Sequence, residues 1–187
     1  RFLAKQSKQT KKRNLNQLGE FDLISRLQSH LNTRSPDTLI GIGDDCAIFK
    51  SKTGTVLAAS CDSLLEGIHF DLSLASFKDL GRKALSVNLS DIAAMGGIPK
   101  WALISLAVPK GTSAESLDKL YDGLNQVCSR WQVELAGGDT VRSPKGLGIH
   151  ITILGEVPKN RWFPRAGARP GDKIFVTGTL GDSALGL

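Results

Sequence analysis

The stretch that decides the fold reads Gly41-Ile42-Gly43-Asp44-Asp45-Cys46-Ala47-Ile48-Phe49. It places two adjacent carboxylates between a Gly-x-Gly turn and an apolar run. Asp is a poor strand former, and it is costly to bury without a partner. Two carboxylates at the mouth of a predicted strand therefore indicate a cation that binds them.

Three more aspartates, Asp62, Asp91 and Asp139, stand beside small residues in similar settings. Taken singly, each is explained as well by a turn or a helix position, but together they favour one shared site. Four loops that converge with carboxylates, without His or Cys ligand spacing, predict a hard cation, Mg²⁺ before Zn²⁺. Mg²⁺ held by a few carboxylates, with its other positions left to water or phosphate, is typical of phosphoryl-transfer sites.

The length and composition set the class of protein. A chain of 187 residues is long enough for one domain and part of a second. No apolar run is long enough to span a bilayer, and no apolar segment follows the basic N-terminus as in a signal peptide. The three cysteines have no paired spacing, so we expect a reducing compartment, the cytoplasm, and no membrane partner.

The net charge of +6 comes from one end of the chain. Residues 1–17 contain six basic residues and no acid, which leaves 18 basic and 18 acidic residues in the rest. A polar, basic, Gln-rich segment is most simply a disordered tail. Because Phe2 is its one aromatic residue, we expect no nucleic-acid partner.

The hydrophobic pattern predicts alternating helices and strands. Helices are expected over 19–31, 76–95 and 113–131, and strands over 39–49, 55–61 with an extended continuation at 67–70, 101–108, 133–136, 147–157 and 173–177. The Gly- and Pro-rich segment 165–172 marks a domain boundary. The predicted organisation is a tail (1–17), an N-terminal ATP/Mg-binding and dimerisation domain (18–157) and the truncated beginning of a second domain (158–187).

Several features leave two interpretations open. No Walker A motif is present, and Gly41-x-Gly43 lacks the third glycine of a dinucleotide fingerprint. Residues 178–183 either present backbone amides to an anion or form an ordinary loop and cap. His69, Tyr121 and Arg165 are each a structural side chain or a ligand contact. Cys46 and Cys61 are expected to be inert, because nearby carboxylates suppress a thiolate.

Blocks along nearly the whole chain from Gly19 resemble the thiamine-monophosphate kinase family. They are Gly19-Glu20-Phe21, the stretch 41–47, Cys61-Asp62-Ser63-Leu64-Leu65-Glu66-Gly67-Ile68-His69-Phe70, the stretch 83–96, Gly137-Gly138-Asp139-Thr140, Arg165-Ala166-Gly167-Ala168-Arg169-Pro170-Gly171-Asp172 and the stretch 176–183. The Asp-rich blocks alone also fit the wider aminoimidazole ribonucleotide synthetase-like superfamily. The blocks at 66–70 and 165–172 point to the thiamine enzyme.

The resemblance implies transfer of the ATP γ-phosphoryl group to thiamine monophosphate, giving thiamine diphosphate. It implies an α/β fold, with a mixed β-sheet and helices on one face, and the start of a second α+β domain. It also implies a homodimer through the N-terminal domain, for which the strands at 55–61 and 101–108 are suited, because their edges are expected to be exposed.

The resemblance further implies roles for single residues. Several Mg²⁺ ions are expected on Asp44, Ser60, Cys61, Asp62, Asp91 and Asp139. ATP contacts are expected from Tyr121, Gly138, Asp139 and Arg165, a substrate contact from His69, and catalytic roles from Asp91 and Asp44. Cys61 departs from the family, which usually has Thr there, and a thiol is a poor Mg²⁺ ligand. Either its backbone carbonyl serves, or that metal site is weaker.

Two other functions compete with this interpretation. One is another ATP-using synthetase of the same superfamily, and the other is a non-catalytic nucleotide-binding dimerisation fragment. A general base is not strongly indicated, because a phosphate monoester with a second pKa of about 6 is already largely ionised near neutral pH.

Overall fold

A computed structural model describes residues 35–40, 44–51, 54–176 and 178–181. This part of the chain forms six strands and two helices. They are β1 (Thr38–Ile40), β2 (Ala47–Lys50), β3 (Thr55–Leu65), α1 (Phe77–Ala94), β4 (Ile98–Pro109), α2 (Ala114–Trp131), β5 (Glu134–Ser143) and β6 (Gly148–Pro158). The predicted tail and the predicted helix at 19–31 lie outside the described residues.

The strands form a single mixed sheet in the order β1-β2-β3-β6-β4-β5. Every neighbouring pair is antiparallel except β4 and β5, which are parallel and joined through α2, as a parallel pair requires a crossover connection. The outermost strands are β1 and β5. The expectation that β3 and β4 expose their edges is wrong for β4, which lies between β5 and β6, and for Val56–Ala59 of β3, which lie between β2 and β6.

Both helices lie on one face of the sheet, as predicted. Ile149, Ile151 and Ile153 alternate along β6 with more exposed residues and are buried in the core, and Ile92 of α1 packs over Gly155 of β6. The opposite face carries Trp101 and Leu103, which are 38% and 42% exposed. The fold therefore leaves one apolar sheet face uncovered within the described residues.

The two helices begin at serine caps and cross at glycines. Ser76 and Ser113 each accept a hydrogen bond from a backbone amide of the first turn at 3.1 Å. A Cβ atom built on Gly81 would lie 2.0 Å from the carbonyl oxygen of Leu120, and one on Gly123 would lie 2.0 Å from that of Lys78. The backbones approach this closely because neither position carries a side chain.

The sequence prediction is wrong at the first strand and after β3. The predicted strand 39–49 is two short strands, β1 and β2, which pair with each other. Aspartates favour turns over strands, and Asp44 and Asp45 lie between the two strands. The extended continuation at 67–70 is instead a turn, in which Gly67 has φ +79° and its amide donates to the Phe70 carbonyl at 2.8 Å.

Two predictions also fail toward the C-terminal end. The strand predicted at 133–136 continues through Gly137 and Gly138 as far as Ser143, because β5 pairs along its length with β4. Residues 173–176 of the predicted strand at 173–177 have no regular structure, and Ile174 and Phe175 are 94% and 85% exposed. A strand needs a partner, and the described residues offer none to this segment.

The segment after β6 stays close to the first domain. Trp162 packs against the core, and the Phe163 amide donates to the Met95 carbonyl at the end of α1 at 3.3 Å. The predicted division at 157/158 remains a prediction. In the described parts of the chain, no helix is long and apolar enough to cross a membrane.

Candidate active site

Asp44 and Asp45 lie in the connection between β1 and β2. The Asp45 amide donates to Asp44 Oδ1 at 2.9 Å, and both residues are half-buried. Ala47 pairs with Ala59 of β3, so this connection lies beside the part of β3 that begins at Ser60. The hairpin thus places two carboxylates beside Ser60 of β3.

Ser60 and Asp91 join β3 to α1. The Ser60 hydroxyl donates to Asp91 Oδ2 at 2.5 Å. Ser60 lies opposite the buried Ile153 of β6, and directly paired residues share a sheet face, so its side chain points toward the helices. Asp62, two residues along, points to the same face. Asp91 lies within α1, the helix predicted over 76–95, whereas Asp62 and Asp139, which were expected in loops, lie within strands β3 and β5.

Asn88 is a site residue to which sequence reasoning gave no role. It is 0% exposed, its Oδ1 accepts from the Asp62 amide at 3.2 Å, and its Nδ2 donates to the Ala84 carbonyl at 2.9 Å. It therefore fixes the Asp62 backbone to α1, one turn before Asp91. The signal in the sequence was a polar residue on the buried side of an amphipathic helix.

Arg165 neutralises the hairpin carboxylates. Its backbone amide donates to both oxygens of Asp44, at 3.3 and 3.1 Å, and its guanidinium forms an ion pair with Asp45. The ion pair raises the pKa of Arg165, through the hydrogen bond to Asp45 first and then through the Asp45 and Asp44 charges. The segment predicted as a domain boundary is therefore tied to the acidic cluster.

The electrostatics show that the carboxylates act on one another. Burial raises the pKa of Asp91 most, the Ser60 hydrogen bond opposes this, and the charges of Asp62 and Asp45 raise it further, while Arg165 lowers it. A half-buried carboxylate with like charges beside it is stabilised by a cation. We call Asp44, Asp45, Asp62 and Asp91 the acidic cluster.

The two cysteines near the acidic cluster have different surroundings. Burial raises the pKa of the Cys46 thiol to about 12, with further increases from Asp91, Asp45 and Asp44, so Cys46 stays a thiol as predicted. Cys61 is exposed and lies between Ser60 and Asp62 on β3. Because side chains alternate along a strand, its thiol points to the other face of the sheet, and only its backbone remains as a ligand candidate.

Tyr121, Gly138 and Asp139 line one cleft, which is separate from the acidic cluster. The cleft has a volume of about 440 Å³ and lies between α2 and β5, with Ile104 of β4 among its lining residues. A Cβ atom on Gly138 would lie 1.8 Å from the Ile104 carbonyl oxygen, so glycine is required where the strands approach. β5 is three strands from β3, roughly 14 Å at the usual strand spacing, so Asp139 does not join the other carboxylates.

His69 lies in the turn between β3 and α1. Its Nδ1 accepts a hydrogen bond from the Leu65 amide at 3.1 Å, and its carbonyl accepts one from Lys83 Nζ at 2.6 Å. Lys83 is eight residues before Asp91 on α1, about 12 Å along a helix that rises 1.5 Å per residue. His69 and the acidic cluster thus contact different turns of one helix.

The acidic cluster has the right donors for a hard cation but not yet the right spacing. Its side chains offer carboxylate and hydroxyl oxygens, which suit Mg²⁺. Among the residues that the structure describes, however, no three His, Cys, Asp or Glu side chains lie together closely enough to hold a metal ion. Arg165 supplies the positive charge at the hairpin in this arrangement.

Comparisons with known proteins agree with this architecture. Residues 43–157 match the family model for AIR synthase related protein, N-terminal domain. The thiamine-monophosphate kinase of Bacillus subtilis (strain 168) is 42% identical over 91% of this chain and 52% of its own length. That of Escherichia coli (strain K12) is 45% identical over 90% of this chain and 51% of its own length.

A solved structure is similar over the same region. AaThiL complexed with AMPPCP and TMP has a TM-score of 0.82 and 39% identity, covering 93% of this chain and 53% of that chain. The chain spans about half the length of the curated relatives that it matches. The family model covers more than half of this chain, and the chain therefore belongs to the AIR synthase related protein family through that family's N-terminal domain.

Proposed function

We propose that this protein transfers the γ-phosphoryl group of ATP to thiamine monophosphate, forming thiamine diphosphate in the cytoplasm. The observation that carries the proposal is the acidic cluster, held by the Ser60–Asp91 bond, in a chain 42–45% identical to thiamine-monophosphate kinases. Among the described residues, the acidic cluster and the cleft at β5 offer surfaces for a metal–phosphate group and for a nucleotide.

The residues divide into three groups of proposed contacts. Asp44, Ser60, Asp62, Asp91, Asp139 and the backbone of Cys61 would hold several Mg²⁺ ions. Tyr121, Gly138, Asp139 and Arg165 would contact ATP, and His69 would contact thiamine monophosphate. Mg²⁺ bound there would neutralise the repulsion between the phosphates and favour in-line transfer.

The chain's own residues supply orientation and charge. Asp91 and Asp44, the proposed catalytic residues, present carboxylates held by Ser60 and by backbone amides, and they need not remove a proton from an acceptor that is already ionised. Arg165 contacts Asp44 and Asp45, and a guanidinium there would suit bidentate binding of an ATP phosphate.

We also propose that the uncovered sheet face forms a homodimer. Leu65, Trp101, Leu103 and Val141 are exposed there, and a patch of large apolar side chains marks an interaction surface. The contact uses the face of β3 and β4 and not their edges. Sedimentation of the wild type and of Leu103→Asp tests this, since a buried charge should dissociate the dimer.

A substrate-dependence assay of the full-length protein tests the function. With ATP and Mg²⁺, we expect thiamine diphosphate from thiamine monophosphate and no ATP consumption with substrates of related synthetases. Turnover of another substrate alone would support the synthetase alternative. ATP binding without turnover of any substrate would support a non-catalytic nucleotide-binding module.

A further inference from the structure

The turn that carries His69 is held at three points. The His69 amide donates to the Leu65 carbonyl at 2.9 Å. Glu66 binds the chain before β6 twice: its amide donates to the Leu147 carbonyl at 3.0 Å, and its carboxylate accepts from the Leu147 amide at 2.7 Å. Lys83 Nζ donates to the His69 carbonyl at 2.6 Å.

Lys83 donates the hydrogen bond that ties the His69 carbonyl to α1. Its neighbour Ala84 is buried in the core, so the backbone beneath the lysine is fixed. The described ion pairs involve other residues, and the ammonium group donates to a backbone carbonyl. A hydrogen bond from a charged donor is shorter and stronger than a neutral one.

These contacts also determine the tautomer of the His69 imidazole. Because Nδ1 accepts from the Leu65 amide, the neutral ring carries its proton on Nε2. Nε2–H is therefore the donor offered to solvent or substrate. A shift of the His69 carbonyl away from α1 would rotate the peptide and weaken the bond at Nδ1.

We propose that Lys83 is a positioning residue, which fixes His69 so that its Nε2–H faces the acceptor substrate. This inference deepens the proposed function and rests on it for the identity of the substrate. The anchoring itself is a property of the free protein. The anchoring of His69 and its effect on the substrate are therefore measured separately.

The experiment compares Lys83→Met, Lys83→Arg and Lys78→Met in the full-length protein. Lys78→Met removes the same charge from the same helix, five residues earlier. In the ligand-free protein, we expect Lys83→Met to speed hydrogen exchange of the Gly67 and His69 amides about tenfold, since exchange reports local opening. The His69 ring nitrogen resonances should lose the Nε2–H signature. Lys83→Arg should keep most of the amide protection and most of the Nε2–H signature. Lys78→Met should leave the amide protection and the signature unchanged.

Kinetics then connect the anchor to the substrate. Lys83→Met should raise the KM for thiamine monophosphate by about three- to tenfold, the scale of one exposed charged hydrogen bond, with a smaller change in kcat. The KM for ATP should not change, and Lys83→Arg should recover most of the loss. Unchanged exchange and ring signals in Lys83→Met would overturn the proposal, as would equal increases in both KM values. If the wild type does not phosphorylate thiamine monophosphate, the proposed function fails, while the exchange data still decide the anchoring.

Discussion

Asp91→Asn separates the electrostatic role of the acidic cluster from its role in folding. The amide is nearly the same size as the carboxylate, and its Oδ1 can still accept the Ser60 hydroxyl proton. Burial, with Asp62 and Asp45 adding to it, raises the pKa of Asp91 above its ordinary value of about 3.8. A carboxyl with a raised pKa stabilises the fold while protonated and loses that contribution as the pH rises through its folded value.

The raised pKa of Asp91 determines how the variant's stability should compare with that of the wild type. In EDTA at pH 7, the wild type carries the unfavourable charge and the variant does not, so Asp91→Asn should melt at an equal or higher temperature. The difference should shrink toward pH 3, where both forms are neutral. Activity should change in the opposite direction: loss of one electrostatic stabiliser costs about a hundredfold or more in kcat.

The assay measures thiamine diphosphate at saturating Mg²⁺ and both substrates, with calorimetric melting in EDTA at several pH values. Asp118 is exposed on α2, and Asp118→Asn is the matched control. It should leave the rate of thiamine diphosphate formation and the melting temperature unchanged. Normal turnover by Asp91→Asn would show that the carboxylate does not serve the metal. The charge argument would be refuted if Asp91→Asn melted at a lower temperature than the wild type at pH 7 and this deficit shrank toward pH 3.

Four other perturbations have expected outcomes. Asn88→Ala should lower the free energy of unfolding by about 1–3 kcal/mol in urea titrations, because the partly buried Asp62 amide loses its partner; no change would mean that water replaces it. Gly123→Ala should also destabilise, by about 1–3 kcal/mol, since its Cβ would meet the Lys78 carbonyl; a gain would show that the helices separate freely. His69→Asn should raise the KM for thiamine monophosphate more than it lowers kcat, and a pure kcat loss would contradict a positioning role. The curated relatives are about twice as long as this chain, and positioning of the reacting groups supplies up to about 7–11 kcal/mol of a barrier. A polypeptide of residues 1–187 should therefore dimerise and bind Mg²⁺–ATP weakly in calorimetry, without detectable product; full activity would place the whole pocket within residues 1–187.

The helices α1 and α2 and the strands β4 and β6 were predicted from the sequence because their patterns are strong and local. Each helix has a serine cap and a mainly apolar buried side, which in α1 is interrupted by Asn88, and burial alternates along β6 from Ile149 to Pro158. β5 was cut short in the prediction because glycines disfavour strands locally. Its pairing with β4, 30 or more residues away in sequence, overrides that preference.

The candidate site was predicted less completely, since its geometry depends on contacts between distant segments. Clustering of Asp44, Asp62 and Asp91 followed from residue type, but the location of Asp139 depends on the strand order, which no local pattern reveals. Arg165 was assigned to phosphate or solvent, and its actual partners, Asp44 and Asp45, lie 120 residues earlier. Asn88 stood out in the sequence only as a polar residue on the buried side of α1, and its hydrogen bond to the Asp62 amide depends on the packing of α1 against β3.

Helix α1 connects the two parts of the proposed reaction. In its first half, Lys83 binds the His69 carbonyl, and its second half carries Asp91. Lys83 and Asp91 are about 12 Å apart along the helix axis. The glycine crossing with α2 fixes that helix from behind. A tilt at the crossing therefore moves the acceptor turn and the acidic cluster together, whereas a change at Lys83 moves only the turn. Gly123→Ala should accordingly alter both the KM for thiamine monophosphate and the Mg²⁺ dependence, and Lys83→Met the KM alone. If Gly123→Ala changed only the KM for thiamine monophosphate or only the Mg²⁺ dependence, α1 would not couple the acceptor turn to the acidic cluster.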